Sequence, residues 1–346
     1  MATDRQRFGA EELVICLSHF DLGIIHGVED FPRGSRRSPK AIIEAERGKF
    51  LFKRRAKGRD DMTKVAFTHQ IQIYLAGQNF PLPHLIGTRK ENNSMLVREG
   101  AIYELFEFVD GGPYDRSLDA TFHAGRILGL YHKLLTGFSS EYTPPTGSYH
   151  NAEAIQQAIQ NTVGSLPLDS RPPKEVLTGV VQSLRRSYAD SAKGAEELGI
   201  NEWAPQIVHG DWHPGNMMFR EGRVVAVIDY DSARMHQRVI DLANGALQFS
   251  ILGGSEDPSQ WPDYVDMSRF KRFMRGYDSV NVISRRELQA VPLLMCEAAI
   301  AEAVWPIAAT GSFGRIEGFP FLQMIDRKVG WILKHQDDLT NVLEES

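Results

Sequence analysis

The sequence predicts an α+β chain whose short strands gather in the first third while helices fill most of the rest. Three observations carry this. Apolar runs of strand length at 22–28, 41–45, 49–54, 85–88, 94–98 and 101–109 are separated by turn-forming residues. From 119 onward apolar residues recur at helical spacing, most plainly Ala124, Ile127, Leu128, Tyr131, Leu134 and Leu135. One polar stretch interrupts the later helices: Val208-His209-Gly210-Asp211-Trp212-His213-Pro214-Gly215-Asn216, which leads into two more strands.

Taken in order, 10–20 reads as a helix with Leu13, Ile15, Leu17 and Phe20 on its apolar side. Three strands follow, the last two joined by the Arg47-Gly48 turn. The loop 31–40 between the first pair holds Arg33, Gly34, Ser35, Arg36, Arg37 and Lys40, so it is basic but poor in glycine. A helix over 62–77 presents Phe67, Ile71, Tyr74 and Leu75, and Phe80-Pro81-Leu82-Pro83 makes a rigid connection. Gly111-Gly112, after the strand 101–109, marks a place where two parts of the chain could pivot, and the boundary is placed there. Helices are expected over 119–135, 152–163, 173–198, 241–252, 267–277, 284–310 and 320–344. Ser284 with Glu287 forms a capping box at the start of the sixth.

Composition excludes several classes. The 346 residues, 42% hydrophobic and 24% charged, describe a globular chain with ample core. A net charge of −5 argues against nucleic acid or an anionic membrane as the main partner. Cys16 and Cys296 do not suggest a disulfide framework, the N-terminus shows no signal-peptide pattern, and no uninterrupted apolar run reaches a membrane span. A cytoplasmic location is the expectation; oligomeric state is not legible.

The polar stretch carries the chemistry. Asp211 precedes Asn216 by five residues, and Asp229 closes the apolar run 224–228 after the turn Glu221-Gly222. This order suits phosphoryl transfer, which needs a carboxylate to take the proton of the attacking hydroxyl. An amide oxygen and a second carboxylate then serve Mg²⁺, a cation that favours few, hard oxygen ligands. A second reading stays open: His209, Asp211 and His213 spell an H-x-D-x-H that suits a transition metal in a hydrolase.

His209-Gly210-Asp211 with Asn216, then Ile228-Asp229 and Asp241-Leu242-Ala243, resembles the aminoglycoside phosphotransferase / choline kinase superfamily, with a texture similar to type II homoserine kinases. The resemblance runs from about 22 to 249. It implies a bilobal, protein-kinase-like fold, with a small antiparallel-sheet lobe over 1–110 and a larger, mostly helical lobe over 111–346. It also implies an ATP- and Mg²⁺-dependent kinase acting on a small-molecule hydroxyl. Asp211 would be the base, with His209 bracing the same loop, and Asn216 and Asp229 would hold the metal. Asp241 would be a buried residue steadying that loop, and His123 and His132 read as structural. Lys53, ending Phe50-Leu51-Phe52-Lys53, would meet the α/β-phosphates, helped by the loop around Ser35. The adenine would meet the main chain at Glu107 and Val109.

Two departures stand out. The 62–77 helix offers no glutamate to pair with Lys53, so either Gln70 substitutes, or Asp60 or Asp61 reaches in, or the lysine stands differently. Asp231 reads equally as a surface charge or a metal-proximal carboxylate. A protein serine/threonine kinase and an inactive kinase-like binding module remain the competing readings. The acceptor itself is not spelled out. Glu256, Asp257 and Asp263 suit an aminoglycoside, and Trp261 and Tyr264 suit an aromatic cage for choline. Glu297, Glu302 and Trp305 are further candidates for an acceptor pocket.

Overall fold

The computed structural model describes residues 5–255 and 257–344. Glu256 lies outside the described residues. Helix α1 (Ala10–Leu17) precedes β1 (Ile25–Asp30), β2 (Lys40–Ala45) and β3 (Gly48–Arg54), followed by α2 (Met62–Gly77), β4 (Leu96–Arg98) and β5 (Ala101–Glu107). These strands form one antiparallel sheet in the order β1-β2-β3-β5-β4. The first strand starts later than its apolar pattern suggests, because Gly23 turns at positive φ and Leu22 is buried ahead of it. The run 85–88 is no strand of its own; it makes a single bridge from Leu85 to Phe106.

A mostly helical lobe follows: α3 (Leu118–Leu135), α4 (Glu153–Ser165) and α5 (Lys174–Glu197), then short strands β6 (Gln206–Val208), β7 (Met217–Arg220), β8 (Arg223–Val227) and β9 (Arg234–His236). After these come α6 (Val239–Ser250), α7 (Met267–Asp278), α8 (Arg285–Thr310), β10 (Ser312–Phe313), β11 (Ile316–Glu317), α9 (Gly318–Lys334) and α10 (Gln336–Thr340). The capping box forms: Glu287 N–H donates to Ser284 Oγ at 3.3 Å and Ser284 N–H to Glu287 Oε2 at 2.8 Å. The helix expected over 320–344 divides at His335. That ring stacks on Trp331 at 4.2 Å and bonds the Trp331 carbonyl, which takes an acceptor from the helix end.

Two hydrophobic cores result. One lies under the sheet, between α1 and Phe50, Phe52 and Leu105. The other fills the helical lobe and includes Phe67, Ile71 and Leu75 of α2, so that helix is anchored to the larger core. Helix α8 is long and apolar enough to cross a membrane by length and composition, but 83% of its apolar window is buried inside the fold. Helices α3 and α7 cross at glycines: a Cβ on Gly125 would lie 2.0 Å from the Phe273 carbonyl oxygen, so only hydrogen fits. At the junction of the lobes, Gly112 exchanges backbone hydrogen bonds with Phe219 of β7 at 2.8 and 2.9 Å. A Cβ on Gly111 would meet that of Met218 at 2.9 Å. Gly111 therefore leaves no room for a side chain against β7, whereas a Cβ on Gly112 would make only ordinary contact, 3.8 Å from the Phe219 carbonyl oxygen.

Candidate active site

The polar stretch 208–216 leaves β6 and enters β7 through a short 3₁₀ turn, Pro214–Asn216. Gly210 has φ +75°, and a Cβ there would sit 2.4 Å from the Ser232 carbonyl oxygen, so the loop requires glycine. Buried Asp241, at the start of α6, holds the loop from below. Its carboxylate accepts from His209 N–H at 2.6 Å and Gly210 N–H at 2.8 Å. His132 of α3 approaches the same carboxylate at 3.2 Å and bonds the Tyr277 hydroxyl at 2.8 Å through its other nitrogen. Burial works to raise the Asp241 carboxyl, but His132 and the two backbone donors outweigh it and hold it below the usual aspartate value. Burial keeps His132 neutral. The steadying role given to Asp241 has its physical cause here.

His209 turns inward. It is fully buried, packs against Tyr131, Trp212 and Tyr230, and donates to the Ile228 carbonyl at 3.3 Å. It lies against the loop it was expected to brace and outside the cleft. Asp211 instead has a 42% exposed side chain and accepts from Asn216 Nδ2 at 2.8 Å, with His213 3.6 Å away. Partial burial raises its carboxyl, yet His213 and the Asn216 amide hold it below the usual value, so it stands ionised. Asp229 follows β8 in the left-handed conformation, φ +64°, a strained placement for a non-glycine residue. The H-x-D-x-H stretch does not converge, and among the described residues no three His, Cys, Asp or Glu side chains could hold a metal by themselves. One amide, one carboxylate and open space beside them fit a Mg²⁺ that keeps water and phosphate ligands.

Asn216 and Asp229 line a cavity of about 400 Å³ between the sheet and the helical lobe. Lys53, Arg33, Gly34, Lys40, Glu107 and Val109 also face it. Ser35 is not among its lining residues. Its hydroxyl instead accepts from Arg37 N–H within the 31–40 loop. Burial and the Lys53 charge lower the Lys40 ammonium, while Asp229 and Asp231 raise it. The cleft therefore sets clustered cations against two carboxylates.

The carboxylate for Lys53 comes from an unexpected strand. Glu104 of β5, directly opposite Lys53 in the sheet and fully buried, places Oε2 3.4 Å from Lys53 Nζ. Its Oε1 accepts from Arg55 at 2.7 Å and lies 2.7 Å from His69 Nε2. Helix α2 thus contributes a histidine where a glutamate was sought. None of the proposed substitutes reaches Lys53's partner site. Gln70 bonds Ser140 and Glu141, Asp60 accepts from Gly58 N–H, and Asp61 caps α2. Burial would raise the Glu104 carboxyl, but Lys53, His69 and Arg55 hold it well below the carboxylate range. Asp231, left open by the sequence, accepts from Arg55 at 2.8 Å. The signal for Glu104 was a carboxylate inside an apolar strand; only the register shows that it faces a lysine.

Of the candidates for an acceptor pocket, Glu302 of α8 accepts from Gln248 at 2.6 Å and feels the charges of His213 and Asp211. Accessible to water yet crowded by protein, its carboxyl is pushed up to about 7, chiefly by that crowding. Glu297 instead bonds His150 and Asn151 N–H in the interior, and Trp261 packs edge-on against Phe321.

A sheet-over-helices pair of lobes with a cation-lined cleft and an Asp–Asn–Asp set defines a kinase. The sequence profile of the phosphotransferase enzyme family matches residues 28–280, and the chain belongs to that family. It is 23% identical over 294 residues to a homoserine kinase from Phenylobacterium zucineum, covering 84% of this chain and 82% of that one. It is 20% identical over 282 residues to stress response kinase A of Salmonella typhi, covering 81% and 77%. Among solved structures it resembles a microcompartment-associated aminopropanol kinase (TM-score 0.69, 13% identity, 94% and 97% covered). It also resembles spectinomycin phosphotransferase in complex with ADP and spectinomycin (TM-score 0.64, 14% identity, 96% and 99% covered).

Proposed function

We propose that the protein transfers the γ-phosphoryl group of ATP to a hydroxyl of a small molecule, using the lobes 1–110 and 111–346 to enclose the nucleotide. The observation that carries this is one cleft lined by Asp229, by Lys53 paired with Glu104, and by Asn216, whose amide bonds Asp211 beyond the lining. Lys53, with Lys40 beside it, offers cations to the phosphates, and the main chain at Glu107 and Val109 faces the adenine. Asn216 and Asp229 would hold Mg²⁺, which neutralises charge on the phosphates when bound.

Asp211 accepts a hydrogen bond from the acceptor hydroxyl and orients its oxygen. That oxygen bonds to the γ-phosphorus as the bond from phosphorus to the β,γ-bridging oxygen breaks. ADP leaves with the electron pair of that bond, and the hydroxyl proton passes to Asp211. Asn216 keeps the carboxylate aimed throughout. The aminopropanol and homoserine kinases among the similar proteins favour an acceptor that carries an amine near its hydroxyl.

An ATP-consumption screen over amino alcohols, amino acids, sugars and aminoglycosides tests the reading, with Asp211→Ala as the control. Turnover on an amine-bearing alcohol, falling by the ~10²–10⁴-fold typical of a lost general base in the variant, supports it. Full turnover in Asp211→Ala overturns the assignment of the base.

A further inference from the structure

Arg55 joins two parts of the cleft that lie far apart in the chain. It stands one residue past β3, is 8% exposed, and holds Glu104 of the sheet with Nη2 at 2.7 Å and Asp231 with Nη1 at 2.8 Å. Asp231 lies in the 3₁₀ turn Tyr230–Ser232, which begins as the chain leaves the strained Asp229. Glu104 is also the partner of Lys53. One planar guanidinium thus bridges the carboxylate that fixes the phosphate lysine and the turn that carries the metal-facing aspartate. A guanidinium suits this because its fixed fork binds two acceptors at once, whereas an ammonium is a point charge on a flexible stem. The anchor is rigid at its N-lobe end: His69 bonds Glu104 at 2.7 Å and Ser94 at 2.9 Å, so α2 and the 88–95 loop brace the same carboxylate.

We propose that Glu104, Arg55 and Asp231 form a strut across the cleft that sets Lys53 and Asp229 in one register, making all three positioning residues for phosphoryl transfer. The strut rests on the phosphotransferase reading. Without it, the nucleotide phosphates and the metal site could each be intact and still stand out of line, and a displacement of this kind slows transfer more than it weakens binding.

The test uses the full chain with Arg55→Lys, Asp231→Asn and the double variant. Asp231 has a 22% exposed side chain, so its amide variant keeps the fold even if a change at buried Arg55 does not. In the nucleotide-free protein, amide exchange over 229–233 should quicken about tenfold in Arg55→Lys and in Asp231→Asn, the scale of one lost charge-assisted bond. In turnover, kcat should fall, and the Mg²⁺ concentration for half-maximal rate should rise. The double variant should be no worse than the poorer single one, the mark of a shared interaction. Unchanged exchange at 229–233, or additive losses with an unchanged Mg²⁺ requirement, overturns the strut. Failure of the wild-type chain to bind Mg·ATP overturns the phosphotransferase reading, and the exchange arm distinguishes that result because it needs no turnover.

Discussion

The two lobes each bury one carboxylate beside a helix histidine, and they use it for opposite purposes. In the helical lobe Asp241, backed by His132, spends its oxygens on the backbone N–H groups of His209 and Gly210. In the sheet lobe Glu104, backed by His69, spends its oxygens on the side-chain cations Lys53 and Arg55. The first fixes where a loop runs; the second fixes where charges stand. A buried carboxylate is costly unless it is paired, and each of these has several partners, so each marks a place where geometry is held firmly. The difference predicts that amide substitutions of the same shape will fail in different ways.

The largest effect on stability should come from Asp241→Asn. An amide can offer one oxygen to one N–H, but its NH₂ then faces the other donor. Leaving a buried donor unmet beside a lost charged acceptor should cost about 3 kcal/mol, read by chemical denaturation. A fully stable variant would contradict the account of the loop. Glu104→Gln should act mainly on the nucleotide. Its oxygen still accepts from Arg55 and His69, while the charge facing Lys53 is gone, so KM for ATP should rise ~10-fold or more, as for a lost charge-assisted contact. An unchanged KM alongside a large stability loss would make the two carboxylates equivalent and end the comparison.

The smallest effect is on pH dependence. Asp241 is held below its ordinary value in the fold, so the stability it contributes is present above that value and lost as pH falls. Buried His132 and His209 are also held down, so their contribution is complete above the ordinary histidine value of about 6.5 and declines below it. Stability should therefore fall in two stages on acidification, and Asp241→Asn should flatten the second, below about pH 4. A melt series across pH checks this; identical acid arms in variant and wild type would refute it.

Where sequence could be read, the features were local. The helices from 118 onward show their apolar faces within a few turns, and Asp211, Asn216 and Asp229 sit in one continuous stretch. Asp241 was legible through family resemblance, although its hydrogen-bonding partners were not. Glu104 was missed because it lies in a run of buried residues, 102–105, in which burial does not alternate. The β6–β9 pairing joins three-residue strands across 25 intervening positions, too short to leave a pattern. Arg55 and Asp231 are separated by 176 positions, and no local spacing links them. Ser35 sits in a basic loop, but the polar side chains of that loop that reach the cleft are Arg33 and Lys40.

The central claim is that Asp211 and Asp229 divide the work, one serving the acceptor hydroxyl and the other the metal and its nucleotide. Calorimetric titration of Mg·ATP into the wild type, Asp211→Ala and Asp229→Ala tests this most directly. The account predicts comparable binding in the first two and strongly weakened binding in the third. Equal binding by all three, or loss in Asp211→Ala alone, would contradict it.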